Sequence, residues 1–227
     1  LTGSDAMSSI SALKSDLDAA IDQAGPDGLY DDATFERIHA CIKALVPLTP
    51  TPRPIDAQEF VQAPWGSRFA QFGMRHTAGK PIRHLSKLSL QSFNRFPAIE
   101  IQVESIDQEI RVDGHHYNNV ISMTTPDGQH SGRIVVWGRY ELLPEEPQRY
   151  RVSFYACELV PPEGVAATTF REQFGLQPDL PLKQELKPPK LHSDVVFCDA
   201  DMRINFGSMG GVYVMRRLTS PGKSVDF

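Results

Sequence analysis

The sequence predicts a mainly β protein, an antiparallel sandwich or barrel preceded by two α-helices. Apolar residues recur at helical spacing only in the first fifth of the chain. From Trp65 onward, apolar and polar residues mostly alternate in short segments that are separated by turn residues. Short antiparallel strands joined by short turns are typical of sandwiches and barrels. The 227 residues suffice for one large domain with an appendage.

Two helices are predicted for residues 7–46. Residues 1–6 precede Met7, and we interpret them as a cloning remnant and leave them out of the fold prediction. Gly25-Pro26-Asp27-Gly28 ends the first helix, and Asp32 is predicted to cap the second. The apolar stripes consist of Ile10, Leu13, Leu17, Ala20, Ile21 and Ala24 in the first helix, and of Phe35, Ile38, Ile42 and Leu45 in the second.

A proline-rich segment, residues 47–63, follows the helices. Its prolines at 47, 50, 52 and 54 disfavour a helix and favour an extended chain. We predict a stiff connector laid along the fold, and the alternative is a ligand for a proline-binding module.

Residues 64–227 are predicted to form the β domain, with roughly eight to ten strands. Alternating segments lie at residues 99–103, 117–123, 134–142 and 150–156. A closing hairpin is predicted from a continuous strand over residues 195–206, the glycine-rich loop Gly207–Gly211 and a return strand at 212–215. The long loop 160–194 carries six prolines, and we predict that Phe170 and Phe174 make it a plug for one barrel mouth.

The composition bears on several classes of function. The formal net charge is −5 without a basic block, so nucleic-acid binding is not expected. The three cysteines form no CxxC pair, and His115 and His116 point to opposite faces of a strand, so neither a metal nor a cofactor is predicted. No apolar run approaches the ~20 residues that span a bilayer. The sequence also lacks a GxSxG elbow, and no catalytic residue is assigned.

The closing stretch FCDADMRINFGSMGGVYVM resembles the signature of the plastid lipid-associated protein family, also called PAP/fibrillins. The matching positions are Asp199, Arg203, Ile204, Gly207, Gly210 and Val214. Phe206 stands where the family usually has a second arginine, and Ala63 replaces a usual glycine before Trp65. The two helices, the LTPTPRP segment and the YNNVISM stretch extend the resemblance over most of residues 10–218.

The resemblance implies a lipocalin-like β-barrel that binds a lipid, an isoprenoid or a similar hydrophobic small molecule without catalysis. Two alternatives remain open: a packed barrel that serves as a protein-interaction or scaffold module, and an enzyme acting on a hydrophobic substrate. An eight-stranded barrel is just wide enough to hold one small ligand. The candidate ligand-binding residues are Phe69, Phe72, Trp137, Tyr140, Tyr150 and Phe154, although each could instead fill the core.

The resemblance also implies a location. We expect a bacterial member in the cytoplasm, because Met7 resembles a native start and no secretory or transit signal follows it. A trimmed plastid protein is the alternative, and peripheral membrane association is left open. The ligand's identity and the oligomeric state are not predicted.

A structural role is predicted for four residues. In lipocalin-like barrels, a tryptophan on the first strand often packs against an arginine on the last. We therefore predict a clasp in which Trp65 stacks on Arg203 while Asp199 and Asp201, on the same strand face, hold the guanidinium in a planar fork.

Overall fold

The protein combines N-terminal helices with a large antiparallel sheet. The computed structural model describes residues 3–25, 30–71, 87–93, 96–187 and 190–219. Its α-helices are α1 (Gly3–Ile21), α2 (Asp32–Leu45), α3 (Gln58–Val61) and α4 (Ala167–Gln173). Its strands are β1 (Ala63–Gln71), β2 (Lys87–Ser89), β3 (Glu100–Arg111), β4 (His116–Thr124), β5 (Ser131–Leu142), β6 (Arg149–Val160), β7 (Lys183–Glu185), β8 (Leu191–Cys198), β9 (Met202–Gly207) and β10 (Val212–Arg217).

Eight of these strands close into a barrel, as the resemblance to the PAP/fibrillin family implies. The order is β1-β10-β9-β8-β6-β5-β4-β3, and β3 pairs back onto β1. Every pairing is antiparallel, while β2 and β7 add short extra strands alongside β3 and β6. Closure leaves the barrel strands without free edges, which removes sites for unwanted strand pairing.

The two predicted helices are present and pack as a pair. The second is capped by Asp31 and not by Asp32, because the Asp31 carboxylate accepts a hydrogen bond from the Thr34 backbone N–H at 2.7 Å. That bond also lowers the pKa of Asp31. None of the helices in the described part of the chain is long and apolar enough to cross a membrane.

The proline-rich segment is less extended than predicted. Three-residue 3₁₀ turns lie at Val46–Leu48 and Pro54–Asp56, and residues 58–61 form the helical turn α3. Proline is tolerated in the first turn of a helix, where its missing N–H would have no partner. The segment is tied to the barrel by a hydrogen bond from the Cys198 backbone N–H to Thr49 Oγ1 at 3.2 Å.

The predicted strand over residues 195–206 is two strands joined by a tight turn. The Asp199 carboxylate accepts hydrogen bonds from the backbone N–H groups of Asp201 and Met202 at 3.0 and 2.8 Å. An aspartate that bonds its own backbone two residues on competes with the sheet ladder and favours a turn. The following loop at Gly207–Gly211 is found as predicted, and Gly210 adopts a φ of 79° there.

Four apolar clusters lie along the barrel wall, and the smallest surrounds Trp137 on the outside. Outside, α1 and α2 cover β1, β8, β9 and β10, with Ile204 and Phe69 among the buried wall residues. Inside, one end of the barrel is filled by aromatic side chains around Trp65 and Tyr150. The interior face of β3 to β6 at the other end packs against Phe170 and its neighbours.

Phe170 of α4 and Phe174, which directly follows this helix, pack against the barrel where the sequence predicts a plug. They are 0% and 3% exposed, their ring centroids are 4.6 Å apart, and they pack with Ile121 and Met123 of β4. Gly132 admits this contact, because a Cβ there would lie 2.6 Å from the Phe170 ring. The long loop therefore covers part of one barrel end.

Candidate functional site

The barrel encloses a cavity of about 240 Å³ between its packed end and the β9–β10 loop. Each of the eight barrel strands contributes at least one lining residue, so the cavity is the barrel interior itself. Much of its wall is apolar, contributed by Ala70, Ile106, Ile121, Val136, Val152, Phe154, Leu191, Met209 and Met215. Alternation along the strands places these side chains inside, except that of Met209, which lies in the β9–β10 loop.

A row of polar side chains crosses the inner part of this cavity. Asn205 donates from Nδ2 to Ser193 Oγ at 2.7 Å and to the Tyr117 hydroxyl at 3.4 Å. Gln108 donates from Nε2 to Asn119 Oδ1 at 2.9 Å. Asn205 Oδ1 is buried and accepts no hydrogen bond. The cavity can therefore orient a ligand that carries a polar group as well as an apolar body.

Arg203 lies directly beyond this polar row. Its guanidinium donates from Nη2 to Gln108 Oε1, and its guanidinium carbon lies 4.9 Å from the centroid of the Trp65 ring. The stacking contact predicted between Trp65 and Arg203 is therefore present. Arg217 approaches the same indole at 4.8 Å. Complete burial lowers the pKa of Arg203, although an arginine side chain keeps its charge in proteins.

The aspartates of the predicted clasp lie elsewhere. Asp199 and Asp201 both accept hydrogen bonds from Lys14 of α1, the first at 2.7 Å, and Asp201 also pairs with Arg216 at 2.6 Å. The prediction that they hold the Arg203 guanidinium is wrong, because the chain turns at Asp199 and places both carboxylates toward α1.

The predicted ligand-binding residues divide between the two faces of the barrel wall. Phe154 lines the cavity. Phe69 packs outside against Tyr30 of the helical layer, with ring centroids 5.7 Å apart, and Trp137 faces outward beneath Lys183. A β-bulge at Trp137 and Gly138 shifts the alternation there, and another lies just before Phe69. Phe72 lies outside the described residues.

Tyr140 and Tyr150 lie inside the barrel, within the packed end below the cavity. Gln58 of α3 donates a hydrogen bond to the Tyr150 hydroxyl at 2.6 Å and accepts one from the Tyr140 hydroxyl at 3.2 Å. Burial raises the pKa of both phenols, so they stay neutral. These two residues close the inner end of the barrel in the structure, and any contact of theirs with a ligand stays a prediction.

The polar row was not predicted from the sequence. Gln108, Asn119, Ser193 and Asn205 lie on barrel strands, where alternation marks them only as members of one face. The sequence signal that could have revealed the polar row is the presence of polar residues on the strand face that also carries the apolar interior residues. Locating that face required the strand register, which the bulges change.

The buried cysteines have thiols unsuited to nucleophilic chemistry. Burial raises the pKa of Cys157 to about 12 and that of Cys198 to about 11, so both stay protonated at neutral pH. Within the described part of the chain, no group of three or more His, Cys, Asp or Glu residues is arranged to hold a metal ion.

Comparison with known proteins identifies the family. The sequence profile PAP_fibrillin matches residues 12–216, which is most of the chain. The chain belongs to the PAP/fibrillin family. A comparison with curated protein sequences gave no significant match.

Among solved structures, this family member is similar to a lipocalin-like protein from Bacteroides uniformis. The identity is 14%, with 69% of this chain and 97% of that chain covered and a TM-score of 0.30.

Proposed function

We propose that this PAP/fibrillin protein binds one hydrophobic small molecule, a lipid or an isoprenoid, inside the barrel without transforming it. The observation that carries the proposal is the cavity reached by all eight barrel strands and walled largely by apolar side chains. At about 240 Å³ it lies just below the ~300–1,000 Å³ of ordinary ligand pockets. The ligand is therefore small, or its longer part extends past the rim.

The rim of the cavity suits a ligand that enters from an apolar source. Met209 lines the cavity and is 51% exposed, and Phe206, on the same hairpin, is 37% exposed. Exposed apolar side chains beside a binding site provide contact for a lipid surface or for the emerging part of a ligand. Peripheral membrane association, in a bacterial cytoplasm or in a plastid, belongs to this proposal.

A matched pair of variants tests the proposal. Val136 and Val160 are both partly buried valines on neighbouring strands, but Val136 lines the cavity while Val160 packs outside near Trp137. We expect Val136→Phe to fill the cavity and to weaken the binding of a hydrophobic fluorescent probe at least about tenfold. Val160→Phe should leave probe binding near that of the wild type.

Native mass spectrometry with organic extraction of the purified protein supplies the second test. Recovery of a lipid-like molecule from the wild type, and its depletion in Val136→Phe, is the expected result. Absence of any such molecule from several expression hosts, together with equal probe binding by the two variants, would contradict the proposed function.

A further inference from the structure

The interior of the barrel contains a positive charge that has no negative partner among the residues the structure describes. Arg203 is 0% exposed, and its Nε and Nη1 atoms have no hydrogen-bond acceptor. Among the described residues no carboxylate pairs with it; the neighbouring groups that act on its charge are Tyr117, Tyr150, Cys198 and the like-charged Arg217. An uncompensated buried charge is costly. A bound anion would relieve that cost.

Arg149, another arginine of the same barrel, makes the bidentate pair with a carboxylate that Arg203 lacks. Arg149 places Nε and Nη2 against the two carboxylate oxygens of Asp194 at 2.8 and 2.9 Å. Such bidentate pairs are stronger and more specific than single hydrogen bonds. The same two atoms of Arg203, Nε and Nη2, are not paired with a carboxylate. Nη2 donates only to the neutral Gln108 Oε1, and Nε has no hydrogen-bond partner.

The side chains around Arg203 connect it to the cavity. Gln108, Tyr117, Asn205 and Met215 all line the cavity. Gln108 bonds the guanidinium, Asn205 follows two residues later on the same strand face, and Met215 is the paired residue on β10. Gln108 therefore belongs to the cavity wall and also bonds the cation behind that wall.

We propose that the cavity's ligand carries a carboxylate, which displaces the Gln108 oxygen and pairs with the Nε and Nη2 edge of Arg203. This inference rests on the proposed function and adds the chemical class of the ligand, a monoanionic hydrophobic acid. The acid group lies at the inner end of the cavity, and the apolar body lies along Val136, Phe154 and Ile121 toward the rim.

Octanoate and octanol form the test pair, because they share an apolar chain and differ in charge at neutral pH. Binding of each to the delipidated full-length protein is measured by isothermal titration calorimetry. We expect octanoate to bind about tenfold more tightly than octanol, since a hydrogen-bonded charge contributes more than a neutral group. Equal affinities, or tighter binding of octanol, would overturn the inference while leaving the proposed function in place.

Gln108→Glu tests the site itself. It supplies Arg203 with a carboxylate of the protein's own, so the ratio of octanoate to octanol affinity should fall to about one or below, and the melting temperature should rise. Gln129→Glu adds the same charge in the exposed turn between β4 and β5 and should leave the ratio unchanged. An undiminished ratio in Gln108→Glu would contradict the assignment.

Arg203→Met provides an independent measurement if Gln108→Glu does not fold. The ratio of the two affinities should again fall to about one, because the cation is gone. A ratio that stays at the wild-type value would show that the acid binds elsewhere. Failure of both octanoate and octanol to bind the wild type would overturn the proposed function, and this inference with it.

Discussion

The Trp65 indole has two guanidinium neighbours, and their environments differ. Arg217 is partly exposed and donates from Nη2 to the Phe60 carbonyl, whereas Arg203 is fully enclosed. The indole is itself fixed by a hydrogen bond from Nε1 to the Val61 carbonyl at 2.9 Å. A cation over an aromatic face contributes most when water is excluded, so the Arg203 contact is the stronger of the two.

The first prediction concerns this contact. Arg203→Lys keeps the charge but removes the planar group that stacks on Trp65 and reaches Gln108. We expect a loss of about 2 kcal/mol of folding stability, which corresponds to a fall of roughly 4–8 °C in melting temperature. Calorimetry against Arg53→Lys, at a surface arginine whose side chain is 52% exposed, gives the comparison. If the Arg203→Lys protein has the same melting temperature as the wild type, the stacking contact contributes nothing to folding stability.

The sequence identifies Trp65 and Arg203 better than it identifies their surroundings. The pair was expected from the resemblance to lipocalin-like barrels. In the structure Trp65 lies on β1 and Arg203 on β9, and β10 pairs with both strands. Gln108 could not be paired with Arg203 in the same way. The two residues are 95 positions apart, and their contact depends on the register of β3 against β1 and of β9 against β10.

At the scale of elements, a cluster of charges joins α1 to the β8–β9 turn. Lys14 bonds Asp199 and Asp201, and Arg216 of β10 bonds Asp201 and Asp18 of α1. Charges of opposite sign alternate around the cluster, and most of its members are largely shielded from water. The turn therefore acts as the point where the first helix is attached to the barrel.

The second prediction concerns the pH dependence of this attachment. Partial burial raises the pKa of Asp201, but the hydrogen bonds with Lys14 and Asp199 and the charges of Lys14 and Arg216 outweigh it, so the pKa lies below its usual value. A carboxyl whose pKa is lowered on folding stabilises the protein above the unfolded pKa of about 3.9, and the effect is lost as the pH falls through the folded value. Asp201→Asn should therefore lower the melting temperature at neutral pH, and the gap from the wild type should close below about pH 4.

Asp179→Asn is the control for that measurement, since Asp179 is exposed and takes part in none of the cluster's ion pairs. Its melting temperature should equal that of the wild type at every pH. A gap in Asp201→Asn that persists unchanged in acid would mean that the residue acts through its turn geometry and not through its charge. High salt should also narrow the gap, because Asp201 is 61% exposed and its charge is open to screening.

The turn at Asp199 also marks a limit of sequence-based prediction. Alternation correctly separates Met202 and Ile204 from Arg203 and Asn205. The structure shows that the first two face the helices and that Asn205 faces the cavity. It cannot show that the chain reverses at residues 199–201, because a polar residue every second position suits a strand as well as a turn. The deciding interaction is local, from a carboxylate to two backbone N–H groups.

At the scale of the whole molecule, the barrel interior has three regions. Aromatic side chains fill the end near α3, the cavity lies in the middle, and the α4 plug packs beside it. Ile106, Ile121 and Val136 belong to both the cavity wall and the apolar cluster around Phe170. The volume available to a ligand is therefore set by how far the plug reaches inward.

The third prediction uses a series of straight-chain alcohols to measure that volume. Each added methylene should increase the affinity about fourfold, from roughly 0.8 kcal/mol of burial, until the cavity is full and the affinity stops rising. Phe170→Ala removes a fully buried ring beside the shared wall and should move this plateau to longer chains, at a cost of about 3–5 kcal/mol in stability. Phe60→Ala, at an aromatic that is 43% exposed on α3, should leave the plateau where it is. A plateau at the same chain length in Phe170→Ala would show that the plug does not limit the cavity, and that the rim or the polar row sets its length instead.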